Sequence, residues 1–402
     1  MAQQIIIQKE ETTLQAAIVE NNRLAEYYVQ RENNSPVVGS IYRGVVTSVL
    51  SGMQAAFVDI GWDRNAYLAL EDIVLSSAAV KCKPNIHDIL KVGQSVVVQI
   101  KKEAVGEKGP KVSTELSIQG RVMVLLPGQS QINISKKITA AAKRQELKTI
   151  AELFLNNDGE SAPSCGVIIR TAAEHSTIDE LHAEFQWLCN QWNELQKKIQ
   201  EVQKPGLIAA DQNLAVQIIR DCVKEHELEG IYVNDYAIYE MLGQQIASRN
   251  VRFKLRWREE NLIETFQLEG EIRNILKRKV MLSNGAVLVF DRTEAMHVVD
   301  VNTAKFTGKK DVAETIVQTN IEAAVEIAWQ MRLRNLSGII LVDFIDMKQP
   351  EHQEQVLDVL RTALRKDHVK AVVHGISHLG LVEITRQKVR APLAEVLEVV
   401  IE

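Results

Sequence analysis

Hydrophobic and polar positions change rhythm several times along the chain. Ile5–Ile7 form a first apolar run, read as a strand, and a short polar-faced segment follows it up to about residue 35. From Ser40 to about Ile118 short alternating strands succeed one another: "IYRGVVTSVL", "QAAFVDIG", "NAYLAL", "QSVVVQIKKE" and "KVSTELSI". Turn residues such as Ser51-Gly52 and Gly61 part them. Five short strands in so brief a stretch suit a small barrel of the OB type. Residues 120–170 are mixed, with one further apolar strand in "CGVIIRTA". A long helix is predicted next. Ser176 and Thr177 stand three residues ahead of Asp179 and Glu180 as overlapping capping boxes, and Leu181, Phe185, Leu188, Trp192 and Leu195 follow at helical spacing until Pro205-Gly206.

Residues 207–278 alternate between helix and strand patterns. "KVMLSNGAVLVF" then reads as a hairpin about Asn284-Gly285, and Met296–Val301 as a strand. Residues 311–334 are predicted helical, with Val312, Ile316, Ile327 and Met331 as the apolar stripe and Gly338 as the residue that ends it. An apolar run at Ile339–Val342, a helix through "EQVLDVLRTALRK" and a strand "KAVVHGIS" complete the pattern. Such alternation predicts a layered sheet with helices on its faces.

Composition narrows the class. The chain has 402 residues, 46% hydrophobic and 25% charged, which is globular and long enough for two to four domains. No run has the apolar length of a membrane span, and "MAQQIIIQKEETT" lacks a signal peptide's basic start and apolar centre, so a cytoplasmic protein is expected. Cys82, Cys165, Cys189 and Cys222 lie far apart with no C-x-x-C pair and read as buried thiols rather than a disulfide framework or a zinc site. The net charge of −5 argues against a polyanion partner, but its distribution argues the other way. Lys101, Lys102, Lys108 and Lys111 cluster, as do Lys136 and Lys137, Lys277–Lys279, and Lys305, Lys309 and Lys310. Any one cluster reads as a solvated face, yet local fields rather than net charge hold a phosphate backbone.

Two predicted strands each end in an acid. Val298 and Val299 run into Asp300, and Ile339–Val342 runs into Asp343. Carboxylates on strand ends sit on rigid backbone with their oxygens toward an open rim, and two from neighbouring strands suit Mg²⁺, which keeps waters for a phosphate. Asn302, two residues beyond Asp300, points to the same side and suits donation to a phosphate oxygen. An Asp after a strand is also a common helix cap or turn residue, and Asp346 competes with Asp343 for the metal role.

The sequence closely resembles the ribonuclease E/G family of bacterial endoribonucleases over nearly its whole length. The resemblance is carried by "GAVLVFDRTEAMHVVDVNTAKFTG", "TNIEAAVEIAWQMRLRNLSGIILVDFIDM", "GSIYRGVVTSVLSGMQAAFVDIGWDRNAYLAL" and "GVIIRTAA". It implies an α/β multi-subdomain chain. Residues 1–35 and 210–278 would form an RNase-H-like subdomain, with an S1-type OB-fold at 36–120 and a 5′-sensor region at 121–209 inserted into it. Residues 279–402 would form a DNase-I-like catalytic subdomain. Asp300 and Asp343 would be the magnesium ligands (Mn²⁺ can substitute), with Asn302 and Lys370 at the catalytic site. Phe57, Tyr67, Lys102 and Lys108 would bind RNA, and Arg170, Thr171 and Val124 would recognise a 5′-monophosphate. A guanidinium fork with a hydroxyl suits a terminal phosphate better than a diester, because more oxygens are free to accept. Without the family, Phe57 and Tyr67 read first as barrel-core aromatics, Arg170 as a rim residue, and His374 and His378 as core or rim histidines.

The implied activity is Mg²⁺-dependent cleavage of single-stranded A/U-rich RNA by activated water, giving 5′-phosphate and 3′-hydroxyl ends, in RNA processing and decay. Two other readings stay open: an RNA-binding platform without catalysis, and a DNase-I-type phosphoesterase on another substrate. Family members commonly continue into a C-x-x-C zinc link and a small dimerisation domain. This chain stops at "APLAEVLEVVIE", so no zinc is expected in it, and a monomer or weaker homo-oligomer is expected in place of a zinc-linked tetramer. Degradosome partners are not legible.

Overall fold

The computed structural model describes residues 3–31, 38–74, 85–102, 104, 108–157, 165–210, 213–222, 228–248, 254–303 and 312–401. The chain divides into two compact units, one of Met1–Glu32, Cys222–Met241 and Phe253–Glu402, the other of Asn33–Asp221 and Leu242–Arg252.

The first unit opens with three antiparallel strands, Gln3–Glu10, Thr13–Glu20 and Arg23–Arg31, where one strand and a polar segment were expected. Two-residue turns make the difference. Glu20 pairs with Arg23, and the intervening Asn21 and Asn22 both take positive φ, 52° and 61°, a conformation that asparagine tolerates and that matches the twist of a hairpin. Leu228–Val233 adds parallel to Gln3–Glu10 and Leu255–Trp257 adds parallel beyond it, so the five-stranded order is Leu255–Trp257, Leu228–Val233, Gln3–Glu10, Thr13–Glu20, Arg23–Arg31.

The same unit holds a six-stranded sheet in the order Lys279–Met281, Val287–Arg292, Met296–Asn302, Gly338–Asp343, Val382–Arg386, Ala371–Ile376. The predicted hairpin is present. Gly285 sits at φ +87°, and Asn284 accepts from the Ala286 amide through its side chain. The helices Val312–Leu333 and Pro350–Leu364 pack Ala323, Ala324, Ile327, Met331, Val356 and Leu360 against Leu288, Val299, Ile340 and Val342. The run Ile339–Val342 is buried only on alternate residues: Ile340 and Val342 are fully buried, whereas Ile339 is 47% exposed. The strand therefore has one covered face, as alternation in a half-solvated sheet demands. The residue that closes the long helix is Asn335 rather than Gly338. Asn335 takes φ +50°, the Asn335 amide donates to Arg332 and the Leu336 amide to Met331, a Schellman closure.

In the second unit Ile41–Leu50, Ala55–Asp59, Ala66–Ala69, Lys111–Ser113 and Ser95–Lys102 form a sheet that closes by pairing Ile41–Leu50 with Ser95–Lys102. Val46, Ala56, Val58, Leu68, Val98, Ile100 and Val112 fill the barrel. The stretch "KVSTELSI" splits: Lys111–Ser113 stays in the barrel, and Ile118–Gln119 joins a second sheet with Met123–Pro127, Cys165–Ile169 and Ile132–Ile134. The helices Ala141–Asn157 and Ile178–Glu201 cover that sheet through Leu147, Phe154, Leu181, Phe185 and Leu188. Of the two overlapping capping boxes, Thr177 with Glu180 forms. The Glu180 amide donates to Thr177 Oγ1 at 3.3 Å, and the Thr177 amide donates to Glu180 at 3.0 Å. Among the described residues no helix is long and apolar enough to cross a membrane.

Candidate active site and nucleic-acid interfaces

Met296–Asn302 and Gly338–Asp343 run parallel and in register, residue for residue, from Met296 opposite Ile339 to Asp300 opposite Asp343. Neighbouring strands lie about 4.8 Å apart, so a parallel ladder sets the two acids side by side at one edge of the sheet. Val299 and Val342, one residue earlier on each strand, are fully buried and hold that register. Asn302 Nδ2 donates to Asp300 Oδ2 at 2.6 Å, so the amide is fixed on the acid itself.

Burial, and then the charges of Asp300 and Asp346, push the Asp343 carboxyl above its ordinary value. Three acids thus crowd one edge. Asn320, fully buried on the long helix, clamps the loop that carries Asp346. Its side chain donates to the Ile345 carbonyl at 2.8 Å and accepts from the Ile345 amide at 3.1 Å. Sequence reading passed over Asn320 because its role needs the helix and the loop to meet. The donors at this edge are hard carboxylate oxygens in mutual repulsion, a set that fits a small divalent cation such as magnesium.

Lys370 does not join them. It precedes Ala371, which pairs with Arg386, and Arg386 in turn pairs with Gly338 at the start of the acid-bearing strand. The ladder therefore puts Lys370 at the opposite end of the sheet, roughly 20 Å along the strand direction from the level of Asp343. The resemblance places Lys370 at the catalytic site, and in this fold it stands apart from the acid pair. His374 and His378 are exposed, and His374 Nε2 lies 2.8 Å from Thr385 Oγ1, which agrees with rim histidines. Lys305, Lys309 and Lys310 lie outside the described residues.

On the barrel, Phe57 and Tyr67 are cross-strand partners with ring centroids 6.1 Å apart at an interplanar angle of 69°. Their neighbours Ala56, Val58, Ala66 and Leu68 point inward and are fully buried, so alternation turns both rings to the outer face, where they are half-buried. The barrel-core reading of these two aromatics is thereby corrected. Lys102 and Lys108 are exposed. Lys111, paired in the ladder with Lys102 and Tyr67, is committed to Glu71 at 3.0 Å and Asp72 at 2.8 Å.

Arg170 and Thr171 follow the buried strand Cys165–Ile169. Arg170 donates through Nη1 to the Gly120 carbonyl at 2.8 Å and through Nη2 to Asp221 Oδ1 at 2.7 Å. Thr171 Oγ1 lies 2.8 Å from Ser135 Oγ. Val124 is buried in the ladder opposite Ile168. The turn presenting the Gly120 carbonyl is packed tightly. Buried Glu184 accepts from the Val122 amide at 2.7 Å, and a Cβ on Gly120 would lie 2.3 Å from that same carboxylate, so only glycine fits. Asp221 also takes Arg220 at 2.8 Å. Its carboxyl, though burial works to raise it, is held down to about 2 by Arg220 and Arg170. Asp221, Gly120 and Ser135 were not singled out from the sequence, since none carries a motif.

The fold and these residues define a mixed α/β protein with an OB-type barrel carrying outward aromatics and, on a separate sheet, a pair of adjacent acids. A model of the Ribonuclease E/G family matches residues 117–389. Ribonuclease G of Escherichia coli K12 is 35% identical over 408 residues, covering 99% of this chain and 82% of that protein. Ribonuclease G of Haemophilus influenzae is 35% identical over 393 residues, covering 95% and 78%. Ribonuclease E of Escherichia coli K12 is 32% identical over 405 residues, covering 98% of this chain but 38% of that longer protein. The chain belongs to the ribonuclease E/G family and is an endoribonuclease.

Proposed function

We propose that this endoribonuclease cuts single-stranded, A/U-rich RNA at the Asp300–Asp343 edge in a magnesium-dependent hydrolysis, with manganese able to substitute. The products would carry 5′-phosphate and 3′-hydroxyl ends, and 5′-monophosphorylated RNA would be preferred. The observation that supports the reaction centre best is the register that puts Asp300 opposite Asp343. Magnesium held there would supply charge neutralisation at the phosphate and activation of a water. The chain's own contribution is rigidity. Both acids stand on strands anchored by buried valines, and Asn302 orients Asp300 while keeping its second amide hydrogen for a phosphate oxygen.

Phe57 and Tyr67 offer two outward ring surfaces for unpaired bases, with Lys102 and Lys108 for the backbone. Arg170 and Thr171 form the 5′-phosphate pocket in this reading, with Val124 buried behind it. Two sheet patterns support the subdomain assignments. The five-stranded order, with three antiparallel strands followed by two parallel ones, fits an RNase-H-like part at 1–35 and 210–278. The barrel at 36–120 fits an S1-type OB-fold, 121–209 a sensor region, and the six-stranded sheet within 279–402 a DNase-I-like part.

The test is cleavage of a 5′-monophosphorylated RNA and the matching DNA, with and without magnesium, by wild type and Asp343→Asn. Metal-dependent cutting of RNA that disappears in the variant is expected. RNA cleavage that survives either chelation or the substitution would remove the proposed centre, and equal cutting of DNA would move the substrate class.

A further inference from the structure

A second set of metal-ligating side chains lies in the first unit, on a different part of the fold. Glu26 on Arg23–Arg31, Cys222 at the end of Leu214–Cys222 and His368 after Pro350–Leu364 bring one ligand atom each within 4.8 Å of one another. Glu26 Oε2 is 3.9 Å from Cys222 Sγ and 3.5 Å from His368 Nδ1. A tetrahedral zinc ion, with Zn–S about 2.3 Å and Zn–N or Zn–O about 2.0 Å, needs neighbouring ligand atoms about 3.3–3.6 Å apart. The two distances from Glu26 Oε2 are within a few tenths of an ångström of that arrangement, and all three ligand atoms lie inside 4.8 Å.

The surroundings match a built site. Glu26 Oε1 is taken by Arg332, through Nε at 3.2 Å and Nη2 at 2.7 Å, which fixes the carboxylate and turns Oε2 toward the thiol and the imidazole. Tyr28 donates to that same Oε2 and lies 3.7 Å from Cys222 Sγ. Glu26 is buried, whereas the His368 side chain is 32% exposed and gives an ion a way in. One thiolate, one imidazole and one carboxylate form a borderline-soft set that favours zinc over magnesium or calcium.

We propose that Glu26, Cys222 and His368 form a structural zinc site, with the fourth position taken by water or the Tyr28 hydroxyl. The thiol proton, and the imidazolium proton where present, leave to solvent as the ion binds. The ion would tie Arg23–Arg31 to segments 196 residues further along and beyond, a staple across three distant parts of one unit. Cysteine spacing could not reveal it, because each ligand comes from its own segment. The inference is independent of the ribonuclease reading and revises the expectation that this chain carries no zinc.

Cobalt(II) is the probe, titrated into metal-free protein in excess magnesium, so that the hard-oxygen edge at Asp300 and Asp343 is already filled. Wild type should gain a thiolate-to-cobalt charge-transfer band in the near ultraviolet, saturating at one equivalent. Dialysed protein should retain one zinc per chain and melt at a higher temperature with zinc than without. Cys222→Ser should lose the band, and His368→Gln, on a partly exposed loop residue, should weaken cobalt affinity at least tenfold while keeping the wild-type circular dichroism. Asp343→Asn and Cys82→Ser should bind as wild type does. Absence of the band in wild type, or its persistence in Cys222→Ser, would overturn the site and mark the cluster as a buried ion-pair network alone.

Discussion

Asp300 with Asp343 and Arg170 with Asp221 are both pairs of charged side chains at candidate ligand sites, and they differ in sign. In the first pair backbone register brings two like charges together, and burial, followed by the charges of Asp300 and Asp346, keeps the Asp343 carboxyl high. In the second, opposite charges have found each other at 2.7 Å, and the Asp221 carboxyl is driven down to about 2. The acid pair carries like charges whose repulsion a cation would relieve. The arginine is already matched, so in the proposed sensor role a phosphate would have to compete with a carboxylate of the same chain.

The largest expected effect falls on the acid pair. Asp343→Asn should lower RNA cleavage by more than about a hundredfold, in line with removing a preorganised electrostatic group. The fold should not suffer. An acid whose carboxyl is raised in the native state costs stability once ionised, so without divalent metal the variant should melt slightly above wild type at pH 7, and the gain should vanish below about pH 4. A drop in melting temperature at neutral pH would mean that the Asp343 carboxyl is not raised in the folded state.

Phe57→Ala should weaken binding of unpaired RNA by about 1–3 kcal/mol, or roughly 5- to 150-fold. Melting temperature should move little, since the ring is on the outer face. Unfolding of the variant would return Phe57 to the core.

For the matched pair, Arg170→Ala should slow cutting of 5′-monophosphate RNA severalfold while leaving 5′-hydroxyl RNA unchanged. Equal slowing of both substrates would dismiss the sensor role. Asp221→Asn should lower stability at neutral pH by about 1 kcal/mol or less, given partial solvent screening. A depressed carboxylate contributes fully above its ordinary range near 4 and loses that contribution as pH falls toward about 2, so wild type and variant should converge across that window. A gap unchanged at pH 2 would deny the ion pair. Smallest of all, Lys370→Ala should leave cleavage within about twofold of wild type, because the lysine stands at the far end of the sheet. A larger loss would show that RNA reaches that end.

Much of the fold was legible where a local rule sufficed. Asn284-Gly285 marked its hairpin, Thr177 with Glu180 its helix start, and alternating strands their barrel. Where local signals were weaker the reading slipped. Asn21-Asn22 hid a hairpin inside a polar segment, and Gly338 drew attention from Asn335. In the candidate site, the strand-end position of Asp300 and Asp343 could be read directly, but Asn320, Asp221 and Gly120 act through contacts with segments far away in the chain.

The sequence by itself determined which residues carry carboxylates, rings and guanidinium groups, and, through hydrophobic periodicity, which strands and helices bear them. Tertiary structure alone decided that two acids stand opposite each other, that two aromatics face out of their barrel and that one lysine lies at the opposite end. The reason is physical. Periodicity is written in neighbours along the chain, whereas register and partner choice depend on which buried faces must meet to exclude water.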